Sequence, residues 1–163
     1  CVEFSIRPNI ESDLEAIVDL SLLAWELVFA SFHKIFGEGI FSILYPDWRE
    51  VQKKGVIGVC NDSNKYHTIV AEQNHRIVGF LSYEIKKEEE KGEVILLAVH
   101  PDFQNDGIGT DLNIYALDKM KEARMKLAVV ETGGDGSHAP SRRSYEKAGY
   151  TGLPLVRYFK ELN

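Results

Sequence analysis

The spacing of apolar residues changes repeatedly along this chain, and each change marks an element. Val2 to Arg7 alternate between apolar and polar positions and stop at Pro8, the pattern of a short first strand. Ser12-Asp13-Leu14-Glu15 then has the form of a capping box, with Ser12 capping a backbone amide and Glu15 reaching back. Behind it Leu14, Ile17, Val18, Ser21, Leu22 and Trp25 recur at helical spacing. Trp25, Phe29, Phe32 and Phe36 carry the stripe on until Gly37-Glu38-Gly39 breaks it. A further helix is predicted from Pro46 to about Val59, closed by Asn61-Asp62-Ser63-Asn64.

From Tyr66 the period becomes two. Tyr66 to Gln73 and Arg76 to Lys86 read as antiparallel strands joined at Asn74-His75. The charged run Lys86 to Gly92 reads as a solvated hairpin loop, and Val94 to Val99, apolar throughout, as a central strand buried on both faces. Gly107 to about Arg124 is predicted helical with Ile108, Leu112, Tyr115 and Leu117 inward. Leu127 to Glu131 is another strand, Thr132 to Ser137 a loop, and Pro140 to Ala148 a helix opened by proline and ended by Gly149. Leu155 to Glu161 completes the order as a last strand. With no repeat and no linker, residues 1–163 read as one mixed α/β domain.

Charge narrows the partners. The net charge of −6 argues against nucleic acid, whose phosphate backbone calls for a basic surface. No stretch reaches the roughly 18 apolar residues that span a bilayer, and no basic region precedes an apolar core at the N-terminus. Cys1 and Cys60 have neither metal-binding nor redox spacing. A cytoplasmic protein, without nucleic acid, membrane or metal, is expected.

The chemistry concentrates after the apolar strand. Gln104-Asn105-Asp106-Gly107-Ile108-Gly109-Thr110 has the form Q-x-x-G-x-G at the start of a predicted helix. Glycines there let backbone amides converge on one anion, and the helix adds its positive end. A pyrophosphate suits such a nest. The P-loop pattern fails, because no lysine follows Gly109, and the dinucleotide fingerprint fails at Leu112. A tight turn with glycines for geometry alone is the competing reading.

A second cluster, His138 to Tyr150, contains Y-E-K-x-G-[FY]. With V-x-P-x-x-Q-x-x-G-x-G one strand earlier, the chain resembles the GNAT superfamily of acetyl-CoA-dependent N-acetyltransferases. The resemblance implies a single-domain GNAT-like α/β fold: a mixed, mostly antiparallel sheet with a splayed central parallel strand pair, flanked by helices. It implies that Gln104, Asn105, Asp106, Gly107, Ile108, Gly109 and Thr110 hold the pyrophosphate of acetyl-CoA. Pantetheine would pair with the strand edge at Leu97, Ala98 and Val99, a form of strand addition. His138 and Ser141 would face the cofactor, Arg142 and Arg143 its 3′-phosphate, and Tyr145 would protonate the leaving thiolate. Asn105 and Asp106 stand where the family often has basic residues and glycine, and a carboxylate beside a phosphate is unfavourable unless it points to solvent.

A lysine-like amine, with a pKa of about 10.4, costs roughly 4–5 kcal/mol to deprotonate at pH 7, so a base is needed. Many relatives carry Glu on the strand before the glycine loop, but Val94 to Val99 holds no acid. Glu93, Glu131, Asp135 and His138 remain, with Glu131 the first choice. The aromatic set Trp25, Phe29, Phe32, Phe36, Phe41, Tyr45 and Trp48 reads mainly as core, with a cleft wall as the alternative. The acceptor is expected to be a small-molecule or peptide amine attacking directly, and a homodimer is left open. A non-catalytic acyl-CoA-binding module is the rival function.

Overall fold

A computed structural model describes residues 3–163. Val2, placed in the first strand, and Cys1 lie outside the described residues. Five strands form one sheet in the order β1-β2-β3-β4-β5: β1 (Ser5–Pro8), β2 (Tyr66–Gln73), β3 (Arg76–Lys86), β4 (Lys91–Val99) and β5 (Leu127–Val130). The first four are antiparallel neighbours, and β4–β5 is parallel. Helices α1 (Leu14–Leu44), α2 (Trp48–Asn61), α3 (Ile108–Glu122) and α4 (Ala139–Lys147) flank it. The period of two divides β2 and β3 between two cores. Val70 and Phe80 pack with Ile17, Val18, Leu20 and Val56 of α1 and α2, while Ile69, Ala71 and Leu81 pack with Ile108, Leu112, Ala116 and Met120 of α3.

Local chemistry sets most boundaries. The capping box expected at Ser12 and Glu15 is not made; Asp13 instead accepts the Ile10 amide at 2.8 Å and is gripped by Arg7. Arg7 also reaches Glu72, so this side chain ties β1, β2 and the entrance to α1 together. The break at Gly37-Glu38-Gly39 is present: Gly37 has φ 74° and divides α1 into two helical runs. The charged hairpin loop is shorter than expected, because β4 already begins at Lys91. Gly92 lies inside that strand, where a Cβ would stand 2.5 Å from the Met120 side chain.

One irregularity opens the sheet. β5 follows α3 in the crossover that joins parallel neighbours, and it pairs with β4 only from Lys91–Leu127 to Val94–Val130. At that point the β3–β4 register shifts: Tyr83 faces Val94 while Ser82 faces Leu96, leaving Ile95 as the extra residue. A bulge bends its strand. From Ile95 to Val99, β4 therefore turns its edge to a cleft instead of to β5, which is why Ile95, Leu96, Leu97 and Val99 are half-buried, with only Ala98 buried, and not all sealed on both faces as the apolar run suggested.

The predicted last strand is absent. Residues 151–163 form no regular element, and Leu155, Val156 and Tyr158 are exposed, so the parallel pair ends the sheet.

Candidate active site

The glycine loop closes one end of the cleft. Asn105 (φ 70°) and Gly107 (φ 82°) both take the left-handed conformation, and Gly107 is the residue from which α3 starts. The opening amides of a helix have no intrahelical partner, so they face outward. They line a cavity of about 130 Å³ with Leu97, Ala98 and Val99, and a Cβ built on Gly107 would enter open space. Gly109 has a second constraint, since its Cβ position lies 3.4 Å from Ser144 on α4. Buried Asn113 bonds the Gly109 carbonyl at 3.0 Å and Ser144 at 3.4 Å, fixing α3 against α4.

Of the predicted cofactor residues, Leu97, Ala98, Val99, Gln104, Asn105, Gly107, Ile108, Gly109, Thr110 and Ser141 line this cavity. Asp106 is exposed and not among the lining residues. Arg142 is committed elsewhere: it donates to the carbonyls of Gly133 and Asp135 at 2.7 Å, clamping the β5–α4 loop. Arg143 does line the cavity, joined by Lys147 and Phe103, which the sequence reading did not select.

The cleft continues between the splayed strands into a cavity of about 300 Å³ that Leu97, Gln104, Glu131, His138, Ser141 and Tyr145 border. Tyr145 is 8% exposed, and burial, with Tyr150 beside it, holds its phenol well above the ordinary value. It therefore remains a proton donor at neutral pH. His138 shares a 2.5 Å hydrogen bond through Nδ1 with Asp135 and stacks on Phe32 at 5.7 Å. Asp135 also accepts Ser31 Oγ of α1 at 2.7 Å, as well as the Ser137 hydroxyl. Burial works against its charge, but the bonds from Ser137, Ser31 and His138 prevail and hold the carboxyl well below the usual range. An ionised Asp135 can only accept, so Nδ1–H of His138 is the donor of this bond and Nε2 is the ring nitrogen left for another partner. Gly133 makes room for this pair, since its Cβ would meet Asp135 Oδ1 and His138 Nδ1 at 2.7 Å each.

Apart from Trp25, the aromatic set lies outside the two buried core clusters, where the main expectation put it. All are half-buried; Trp25 packs against the α1–α2 core, and the others pack on one another: Phe29 stacks on Trp48 at 4.4 Å and Phe32 on Tyr45 at 5.5 Å. Through Phe32 this cluster reaches His138, and Trp25 lines the larger cavity.

No curated protein sequence gives a significant match. Among solved structures, the chain is similar to the PaiA N-acetyltransferase of Thermoplasma acidophilum in complex with coenzyme A, with TM-score 0.74, 18% identity and coverage of 95% of this chain and 94% of that one. A protein assigned to the GNAT acetyltransferases from Desulfovibrio desulfuricans gives TM-score 0.70 at 20% identity, covering 95% and 89%. An aminoglycoside acetyltransferase from an uncultured soil metagenomic sample, in complex with sisomicin, gives 0.60 at 21%, covering 98% and 97%. These likenesses establish the shared fold. The sequence model of the Acetyltransferase (GNAT) family matches residues 26–150, which span the aromatic helix, the glycine loop and the Tyr145 motif. The chain belongs to the GNAT acetyltransferase family.

Proposed function

We propose that the protein moves an acetyl group from acetyl-CoA to the primary amine of a small cationic molecule, by direct attack in a ternary complex. The observation that carries this reading is the continuity of the cleft from the α3 amides, past the free β4 edge, to Tyr145 and His138. The loop from Gln104 to Thr110 suits the pyrophosphate, the edge at Leu97 to Val99 the pantetheine, and Arg143 with Lys147 the 3′-phosphate. A net charge of −6 and the aromatic wall favour a cationic acceptor over an acidic one. The aminoglycoside bound by one structural neighbour is of that class.

For the base, the geometry favours His138 over Glu131. Glu131 is exposed at the cavity border, whereas His138 is oriented by Asp135. His138 Nε2 takes a proton from the acceptor ammonium, and the freed nitrogen lone pair forms the C–N bond to the thioester carbonyl. As the C–S bond breaks, its electron pair goes to sulfur and Tyr145 supplies that atom with a proton. The remaining proton on the new amide nitrogen returns through solvent to the phenolate. Neither cysteine enters.

Thiol release measured over a panel of diamines, aminoglycosides and peptide N-termini tests the reading. Turnover is expected with cationic small amines, with a loss of about 100-fold or more in His138→Gln and little change in Glu131→Gln. The reverse pattern moves the base to Glu131. Saturable acetyl-CoA binding with no thiol release from any amine would replace the enzyme by a binding module.

A further inference from the structure

The buried face of α3 has one polar member. Ile108, Leu112, Ala116 and Met120 pack on the sheet, and Asn113 beside them is as fully buried, with 0% exposure. Its carboxamide reaches across to α4. Nδ2 donates to the Gly109 carbonyl at 3.0 Å and to Ser144 Oγ at 3.4 Å. The Ser144 hydroxyl commits its own proton to the Ser141 carbonyl at 2.7 Å, so towards Asn113 it can only accept. Turning the amide over would set Oδ1 against the Gly109 carbonyl, acceptor against acceptor. The orientation is thus fixed, and it leaves Oδ1 buried with no partner.

Stability does not call for this arrangement. An unpaired buried carbonyl is costly, while leucine has nearly the same shape and no such group. Leucine would orphan nothing else: Ser144 keeps Ser141, and the Gly109 carbonyl, inside α3, keeps its helical bond. What leucine lacks is direction. Apolar contact is indifferent to sliding, whereas two bonds from one carboxamide set the height of α4 on α3. The helices meet closely at that level, since a Cβ on Gly109 would lie 3.4 Å from Ser144 Cβ.

The register matters because one ligand would span both helices. The loop and first turn of α3 suit the pyrophosphate of acetyl-CoA, while Tyr145, next to Ser144 on α4, borders the cavity at its sulfur end. With one end of a single molecule anchored on α3, the distance from sulfur to phenol depends on how α4 sits on α3. We propose that Asn113 is a positioning residue. Acting through Ser144, it holds α4 in register with α3, so that Tyr145 meets the leaving thiolate of an acetyl-CoA anchored on the glycine loop. Its role rests on acetyl transfer with Tyr145 as the acid, and adds the group that sets the acid in place.

Asn113→Leu should melt at or above the parent, because the unpaired carbonyl is gone. Its kcat for thiol release should nonetheless fall by about 10-fold or more, with acetyl-CoA affinity by calorimetry within about threefold of the parent. Ser144→Ala removes the acceptor of the same bond and should lose turnover likewise, and the two combined should lose no more than either alone. In a Tyr145→Phe background, Asn113→Leu should change kcat by less than about twofold, because the phenol whose place it sets is absent. Equal losses in both backgrounds would mark a general disturbance of the helices and overturn the proposal, as would a parent-like kcat in Asn113→Leu. Lost acetyl-CoA affinity with kcat kept would overturn it too, by placing the effect in the glycine loop. If Asn113→Leu does not fold, Ser144→Ala decides by the same comparison across the two backgrounds. No thiol release from the parent with any amine would overturn acetyl transfer itself, and this role with it.

Discussion

Gly133 offers the sharpest test of the catalytic reading, because one methyl group there separates loop shape from chemistry. Its φ lies outside the left-handed region, so alanine adds no backbone strain. Its Cβ would instead stand 2.7 Å from Asp135 Oδ1 and from His138 Nδ1, where ordinary contact begins at 3.4 Å. The pair must therefore move by about 0.7 Å or part, and misplacement on the order of 1 Å costs about 100-fold in rate. That factor corresponds to about 2.7 kcal/mol at the transition state. Gly134→Ala is the control, since nothing lies within 4 Å of its Cβ. Thiol release at saturating acetyl-CoA and amine should fall about 100-fold in Gly133→Ala and hold in Gly134→Ala, with acetyl-CoA affinity kept in both. If Gly133→Ala turns over within twofold of the parent, the Asp135–His138 geometry has no part in catalysis. If both variants fall alike, loop rigidity and not the clash is responsible.

Other parts of the cleft give further expectations. Tyr145→Phe should lower kcat by about 100- to 10,000-fold at nearly constant acetyl-CoA affinity, read by steady-state kinetics beside calorimetric titration. Gly107→Ala should melt about 2–8 °C lower, from the roughly 1–2 kcal/mol of a left-handed alanine, and bind acetyl-CoA about 10-fold or more weakly as the loop amides turn away. Asp106→Lys should tighten acetyl-CoA binding most at low ionic strength, because the exposed carboxylate is then least screened; equal affinities at low salt would show that it does not sense the phosphates. Because Asp135 is held below its unfolded value, its hydrogen bonds stabilise the fold above that value and are lost as the pH falls through the depressed one. Melting of Asp135→Asn and parent should thus differ at neutral pH and converge only in acid below the ordinary carboxylate range.

The order of elements up to α4 was legible because each announces itself locally. Alternation marks β2 and β3, proline opens α4, and Gly37 and Gly149 stop helices by adopting a conformation other residues avoid. The turn before α3 was legible for the same reason: Gly107 takes the left-handed conformation that other residues avoid. The failures are of another kind. Asp13, not Ser12, secures the start of α1 because Arg7, brought across from β1, holds its carboxylate in place. The aromatic stripe has the spacing of core, but periodicity reports only that a face is covered, and here the cover is other aromatics at the cleft.

The Asp135–His138 pair shows where such reading stops. Asp135 and His138 are close in sequence, yet their pairing depends on Ser31, which lies 104 positions away. It depends equally on Arg142, which pins the loop by two carbonyls instead of meeting a phosphate. Nothing in the spacing of these residues separates a tethered histidine from a free Glu131, because the difference is made by long-range hydrogen bonds and not by local propensity. Gly133 gives no sign of this in the sequence, being one of three glycines in the loop Thr132 to Ser137. Its purpose emerges only when Asp135 and His138 are seen to occupy the space of the missing side chain. The arm after Gly149 fails for a related reason: a strand pattern states that a segment could pair, and pairing needs an edge that local residues do not supply; residues 151–163 form no regular element.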